Sequence, residues 1–240
     1  TLHLDGTLDS LIRPSDLEAD LRYSGADVRP VAELLGVSDL PKRPFDVAGR
    51  FRWQGFPVEV SGLEITVGDN RISADGRLGS PPLMLDTDFQ IRGSGPNIAL
   101  PAALVGLDLP HDPFTIDGRL VRVEDGLRVE EARGTVGGTR VAVDGFIGDP
   151  PVYRGTLLDV EVIEPNLSRF SRALGLTLPD DPVRVSARLG QGEGAIEIAE
   201  AKAEIGDASL RVDGQLTTVE GHIGTDLRFD CDGLELADVA

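Results

Sequence analysis

Residues 110–120 read PHDPFTIDGRL, and residues 41–51 and 179–189 read PKRPFDVAGRF and PDDPVRVSARL. Each segment lies 69 residues from the next, and in each a pair of prolines precedes alternating apolar and polar residues. Alternation with a period of two is typical of a β-strand that turns one face toward an apolar environment. The three segments therefore predict the same strand, entered from the same proline-containing turn, three times along the chain.

Other residues recur in the same register. Three Asp-Gly pairs begin at Asp75, Asp144 and Asp213 and are again 69 residues apart. The same step relates Gly68 to Gly137 and Gly206, Arg50 to Arg119 and Arg188, and Thr87 to Thr156 and Thr225. Self-similarity at a fixed period is the signature of a repeat architecture, so these markers indicate that one structural unit is repeated.

Each unit is predicted to contain a short helix followed by four or five antiparallel strands. Asp27, Asn97 and Asn166 are residue types that cap helix N-termini, and glycines that can end a helix follow nine positions later, at Gly36, Gly106 and Gly175. In the first unit the strand pattern covers residues 45–53, 58–67 with a break at Ser61-Gly62, 72–78 and 83–91. Gly-, Asn- and Pro-rich turns separate these stretches.

The predicted fold is mostly β, an antiparallel array of units of about 69 residues. We place the end of one unit at residues 1–26, three full units at 27–96, 97–165 and 166–234, and the start of another at 235–240. Glycines such as Gly49, Gly76 and Gly118 fall on the apolar face in the middle of strands. Such glycines either bend the sheet into a curved, taco-like groove or make room for bulky neighbours.

Composition narrows the classes of partner. The 240 residues include 41 acidic and 23 basic side chains, a formal net charge of −18, which argues against nucleic acid and against anionic lipid surfaces. Hydrophobic residues make up 40% of the chain, enough for a packed or ligand-covered apolar surface, while aromatic residues make up only 5%. Acyl chains are compatible with this composition because they carry no charge.

The residues that carry chemistry in enzymes do not form a recurring constellation. His3, His111 and His222 occupy different positions of the unit, and Cys231 is the single cysteine. The Asp of each Asp-Gly pair stands alone on a strand, whereas a calcium loop needs several oxygen ligands within about a dozen residues. We therefore predict no enzyme, no metal site and no cofactor. Arg50, Arg119 and Arg188 are predicted to form solvent-facing cross-strand pairs with acidic neighbours.

The quoted segments, followed by strands reading ISADGRLG, VAVDGFIG and LRVDGQLT, resemble the AsmA family, which includes TamB-like and YhdP-like envelope proteins of Gram-negative bacteria. The resemblance covers essentially the whole chain. It implies a repeating β-groove similar to that of bridge-like lipid transfer proteins. It also implies a periplasmic segment of an inner-membrane-anchored parent protein. The membrane anchor would lie in another segment of the parent, and envelope proteins at the ends of the parent chain would be its partners. The implied ligand is a phospholipid or another acyl-chain lipid that moves between the inner and outer membranes.

Carried onto this chain, the resemblance implies that the apolar face of the strands lines the groove. The implied lining residues are Phe45, Val47, Phe51, Ile65, Val67, Ile72, Leu78, Phe89, Phe114, Ile116, Leu120, Val136, Val141, Ile147, Leu158, Val183, Val185, Leu189, Ile205, Leu210, Leu216 and Leu227. The alternative reading is a structural or adhesive array in which the same residues pack into a filled core without a ligand.

Overall fold

The computed structural model describes residues 1–8, 16–30, 42–99, 111–149, 153–170, 180–192, 195–217 and 225–233. Its strands form one 14-stranded sheet in which strand order follows chain order, and every strand pairing that it defines is antiparallel. The prediction of a mostly β, antiparallel fold is therefore confirmed. The strands are β1 (Leu2–Leu8), β2 (Leu17–Gly25), β3 (Phe45–Trp53), β4 (Val58–Val67), β5 (Asn70–Leu78), β6 (Asp88–Gly95), β7 (Phe114–Val123), β8 (Gly126–Val136), β9 (Thr139–Gly148), β10 (Leu157–Glu164), β11 (Val183–Gly192), β12 (Ala195–Ile205), β13 (Ala208–Thr217) and β14 (Asp226–Asp232).

The chain divides into two compact units, which are described separately. Unit 1 comprises residues 1–124 and 134–137, and unit 2 comprises residues 125–133 and 138–240. The division falls within β8 and does not follow the boundaries predicted from the sequence markers, which remain a prediction. The first strands after the proline turns begin at Phe45, Phe114 and Val183, the 69-residue spacing of the sequence.

The break predicted at Ser61-Gly62 is a β-bulge within one continuous strand. The register of β4 against β5 shifts between Val60 and Leu63, and Gly62 has a left-handed φ of 57°. One extra residue at this point keeps both Val60 and Leu63 on the same face of the sheet, although they are three positions apart. The register of β12 against β13 shifts in the same way between Ile198 and Ala201.

The fourth predicted strand is wrong at its start. Residues 83–87 form a turn, and β6 begins only at Asp88. Met84 and Asp86 adopt left-handed φ values of 57° and 68°, so the apparent alternation of Leu83 and Leu85 is not an extended chain. Thr87 closes this turn, since its hydroxyl donates to the Met84 carbonyl at 2.6 Å and accepts from the Gly79 N–H at 2.9 Å.

The recurring prolines and glycines are joined by backbone hydrogen bonds. The Pro44 carbonyl accepts from the Gly68 N–H at 2.9 Å, and the Pro113 carbonyl accepts from the Gly137 N–H at 2.8 Å. Gly68 and Gly137 have φ values of 59° and 60°, which glycine adopts without the steric cost of a side chain. These markers therefore close the turns at the strand ends.

The predicted helix caps have the expected hydrogen bonds. Side-chain oxygens of Asp27, Asn97 and Asn166 each accept a backbone N–H two residues ahead, at 3.1, 3.0 and 2.9 Å respectively. A 3-10 helix at Leu167–Phe170 follows the third cap. The predicted helix ends at Gly36, Gly106 and Gly175 lie outside the described residues.

Candidate functional site

One face of unit 1 is apolar across successive strands. Val47 of β3 pairs with Ile65 of β4, which pairs with Ile72 of β5. Ile72 pairs with Gly93 of β6, which pairs with Ile116 of β7. Because directly opposed residues of an antiparallel sheet share a face, these positions form one continuous row.

Unit 2 carries an equivalent face. Val141 of β9 pairs with Val162 of β10, and Val162 pairs with Val185 of β11. From Val185 the row continues through Ala203 of β12 to Leu210 of β13. Rows of apolar residues thus run across neighbouring strands in each unit.

The registers place each implied lining residue on the apolar face of its own unit. In unit 1 these are Phe45, Val47, Phe51, Ile65, Val67, Ile72, Leu78, Phe89, Phe114, Ile116 and Leu120. Val136 follows Thr135, whose hydroxyl meets that of Thr115 on the polar face at 2.9 Å, so Val136 lies on the apolar face. In unit 2 they are Val141, Ile147, Leu158, Val183, Val185, Leu189, Ile205, Leu210, Leu216 and Leu227. Their contact with a lipid remains a prediction.

Most of these side chains are only partly buried. Phe45, Phe114 and Val183 are buried, at 7%, 3% and 7% exposure, and the others are half-buried. The side chains of a filled core are usually fully buried. The apolar face within the described residues therefore retains surface that a ligand or another segment can cover.

The apolar face also includes residues that the sequence reading omitted. Leu4 pairs with Leu21 in β1 and β2, Tyr23 packs edge-to-face on Phe45 at 5.0 Å, and Phe229 lies on the same face as Leu227. Leu4 and Phe229 are 66% and 60% exposed. Alternation of apolar and polar residues within 2–8, 17–23 and 227–231 could have indicated these positions. Each stretch is short and adjoins residues without a strand pattern, so the alternation was not recognised.

Gly76, Gly145 and Gly214 of the Asp-Gly pairs permit close strand approach. Their φ values are 156°, 139° and 136°, and a Cβ at each would overlap a carbonyl oxygen of the next strand, that of Asp88, Leu157 or Asp226. The interpretation that these glycines make room for bulky neighbours is therefore wrong at these positions, because the atoms that approach them belong to the backbone of the next strand.

The Asp residues of two Asp-Gly pairs accept from a backbone N–H of the preceding strand, in the first case at the β4 bulge. Asp75 Oδ1 accepts from the Gly62 N–H at 2.7 Å, and Asp144 Oδ2 accepts from the Glu131 N–H at 3.0 Å. Glu131 has a left-handed φ of 50°, like Gly62. At the β4 bulge the extra residue leaves the Gly62 N–H outside the strand ladder, and the Asp75 carboxylate satisfies it.

The cross-strand pairs predicted for the recurring arginines are confirmed. Arg50 Nε donates to Asp20 at 3.0 Å, and Arg188 Nε donates to Asp159 at 2.8 Å. These hydrogen bonds raise the pKa of both guanidinium groups. All four side chains are more than half exposed, so the pairs contribute little to stability and do not contact the apolar face.

Arg119 is paired differently because Gln90 stands opposite it. Its Nε and Nη2 donate to the two carboxylate oxygens of Asp88, both at 2.7 Å. Asp88 is only 17% exposed, and these hydrogen bonds lower the pKa of its carboxyl group. A carboxyl group whose pKa is lower in the folded state stabilises that state at pH values above its unfolded pKa, about 3.9. This stabilisation is lost as the pH falls through the folded pKa.

Arg119→Gln is therefore expected to raise the pKa of Asp88 toward its ordinary value, measured by NMR titration of the carboxyl carbon. The variant should lose up to about 1 kcal/mol at pH 7, and the difference from wild type should shrink below pH 4. Arg92→Gln, whose guanidinium bonds to Asp117 at 2.8 Å, is the matched control and should leave the Asp88 pKa unchanged. An unchanged Asp88 pKa in Arg119→Gln would contradict Arg119 as the cause of the lowered Asp88 pKa.

Two open depressions in the described part of the surface lie on the polar face. In unit 2 one is lined by five carboxylate residues, Glu131, Asp144, Asp159, Glu161 and Glu200, and two arginines, Arg133 and Arg188, among others. In unit 1 another includes Asp20, Arg50 and Gly62. Both adjoin the bulges and the arginine pairs. Their charged linings do not suit an acyl chain, so we do not place the candidate site there.

The described residues contain no cluster of three His, Cys, Asp or Glu side chains that could hold a metal ion. His111 lies near the Asn97 side chain at 3.3 Å, His3 lines the unit 1 depression, and His222 lies outside the described residues. Across the same described part of the chain, we found no helix of sufficient length and hydropathy to cross a membrane.

Fold and face together define an antiparallel β-sheet protein whose candidate site is an extended apolar surface. Comparisons with protein-family models, with curated proteins and with solved structures found no match.

Proposed function

We propose that this chain is a periplasmic segment of a bridge-like lipid transport protein, in which repeated units of about 69 residues form an apolar β-groove. The groove binds the acyl chains of phospholipids, while their headgroups remain in water. The proposal includes membership of the AsmA family, a Gram-negative envelope location and partner proteins at the ends of the parent chain.

The observation that carries the proposal is the continuity of the apolar face. In unit 1 a row of opposed residues extends from β3 to β7, and in unit 2 a row extends from β9 to β13. Most side chains of these rows are half-buried, while alternate positions along the strands carry charged residues. A surface that continues without polar interruption from strand to strand suits a ligand that slides along it.

The chemistry of the face fits acyl chains. Burial of apolar surface is non-directional and contributes ~25 cal/mol per Å² removed from water, or ~0.8 kcal/mol per CH₂. A ten-residue strand such as β7 spans ~33 Å. The hydrocarbon core of a bilayer is ~30 Å thick, so one acyl chain needs about half of that length. The face is therefore wide enough to accommodate an extended acyl chain along a strand.

The recurring polar residues of this sheet have structural contacts. Asp75 and Asp144 bind the N–H groups of Gly62 and Glu131, Thr87 and Thr156 close turns, and Arg188 pairs with Asp159. A non-enzymatic role is consistent with these contacts, because a catalytic site needs polar groups that converge on a substrate.

The direct test is site-specific photo-crosslinking on neighbouring residues of β11. Val185 lies on the apolar face and Ser186 on the polar face of the same strand. A photoreactive amino acid at Val185 is expected to crosslink NBD-labelled phosphatidylethanolamine, while the same amino acid at Ser186 should not. Equal crosslinking at both positions, or none at Val185 and at the equivalent Ile116, would overturn the proposal. Native mass spectrometry after gentle extraction should detect co-purified phospholipid.

A further inference from the structure

Two buried polar side chains occupy different positions of the 69-residue register but bind equivalent backbone N–H groups, those of Asn97 and Asn166. Asn70, at the start of β5, is 4% exposed, and its Oδ1 accepts from the Asn97 N–H at 3.2 Å. Glu164, at the end of β10, is 1% exposed, and its Oε1 accepts from the Asn166 N–H at 3.0 Å. Asn97 and Asn166 are helix caps 69 residues apart.

The residues across from these acceptors change with them. Gly95 lies across from Asn70, and Glu164 lies across from Thr139. In the 69-residue register Thr139 corresponds to Asn70, and Glu164 corresponds to Gly95. A Cβ at Gly95 would overlap the Asn70 carboxamide, so that position holds no side chain while Asn70 is present. Thr139 is shorter than Asn70, and its hydroxyl donates to Glu164 Oε2.

We propose that these pairs form a lock that sets the first residues after the caps Asn97 and Asn166 against the sheet, and that the lock exists in two mutually exclusive versions. In the first version Asn70 on the earlier strand supplies the acceptor and Gly95 supplies the space. In the second, Glu164 on the later strand supplies the acceptor and Thr139 supplies the space and a second hydrogen bond. Each cap then binds the N–H two residues further on, so the lock orients the first turn.

The lock predicts strong coupling between its two positions. Glu164→Gly removes the acceptor of the Asn166 N–H from a buried site, where an unsatisfied donor is costly. Thr139→Asn places a longer side chain against Glu164. The double variant T139N/E164G recreates the pair found at Asn70 and Gly95, so the second substitution should repair the first.

The experiment is a double-mutant cycle with thermal unfolding and amide hydrogen exchange as readouts. Each single variant is expected to lower Tm by about 5 °C or more, and E164G should lower the protection of the Asn166 amide. T139N/E164G should return Tm to within about 3 °C of wild type and restore that protection. Losses that add in the double variant would overturn the proposal.

A reciprocal pair keeps the test decisive if a single variant fails to fold. N70T/G95E should be folded, with the Asn97 amide protected, whereas G95E alone should be strongly destabilised because the introduced glutamate side chain would meet Asn70. A folded T139N/E164G accompanied by an unfolded E164G would support the lock. Unfolding of both double variants would overturn it.

Discussion

Gly145→Ala is expected to lower the free energy of unfolding by about 3 kcal/mol, as measured by urea denaturation. Gly145 has a φ of 139°, which an L-residue with a side chain adopts only with strain. The new Cβ would also overlap the Leu157 carbonyl oxygen of the neighbouring strand. Since that oxygen belongs to backbone, β9 and β10 must move apart to relieve the overlap.

Gly190→Ala is the matched control in the same unit. A Cβ at Gly190 would meet no described neighbour closer than 3.7 Å, which is ordinary van der Waals contact. At such a site, replacement of glycine by alanine changes stability by less than about 1 kcal/mol and can increase it, because the unfolded chain loses freedom. Equal destabilisation by Gly145→Ala and Gly190→Ala would show that strand approach at the Asp-Gly pair does not limit stability.

Ile116→Asp is expected to reduce bound phospholipid at least tenfold, as measured with NBD-labelled phosphatidylethanolamine. The Ile116 side chain lies over Gly93 and Gly134, since a Cβ at Gly93 would be 2.8 Å from Ile116 Cγ1 and one at Gly134 would be 3.3 Å from its Cγ2. An aspartate here places a carboxylate in the middle of the apolar row. Acyl chains on this row would then desolvate a charge, which is costly.

Thr115→Asp places the same charge one residue earlier in β7, on the polar face. Thr115 is exposed and contacts the Thr135 hydroxyl at 2.9 Å. This variant is expected to retain lipid binding and to change the free energy of unfolding by no more than about 1 kcal/mol. Global unfolding of Ile116→Asp with a folded Thr115→Asp would favour the filled-core alternative. Retained lipid binding in a folded Ile116→Asp would contradict the groove.

The sequence alone was sufficient for the apolar faces of the recurring strands and for the cross-strand charge pairs of Arg50 and Arg188. Side chains of a strand alternate between its two faces, so the apolar positions of Val47, Ile116 and Val185 were readable from local periodicity. The pairing of Arg50 and Arg188 with acidic neighbours followed from their place on the opposite face. Arg119 departs from directly opposed pairing because Gln90 replaces an acidic partner, so it bonds diagonally to Asp88.

The tertiary structure decided how neighbouring strands constrain each other. The turn at residues 83–87 resembles a strand in sequence because Leu83, Leu85 and Thr87 alternate, while the left-handed residues between them do not alter that pattern. The bulge at Gly62 depends on Asp75, thirteen residues away, which binds its N–H. Periodicity describes one strand at a time and carries no information on such pairings.

The same distinction holds for the candidate site. Alternation determined which residues of each strand could form an apolar face, since it depends only on local backbone geometry. Only strand register shows that the rows continue from Val47 to Ile116 and from Val141 to Leu210, and that Asn70 and Glu164 bind equivalent helix caps. Register and close approach arise from contacts between residues distant in sequence, and therefore only the folded chain determines them.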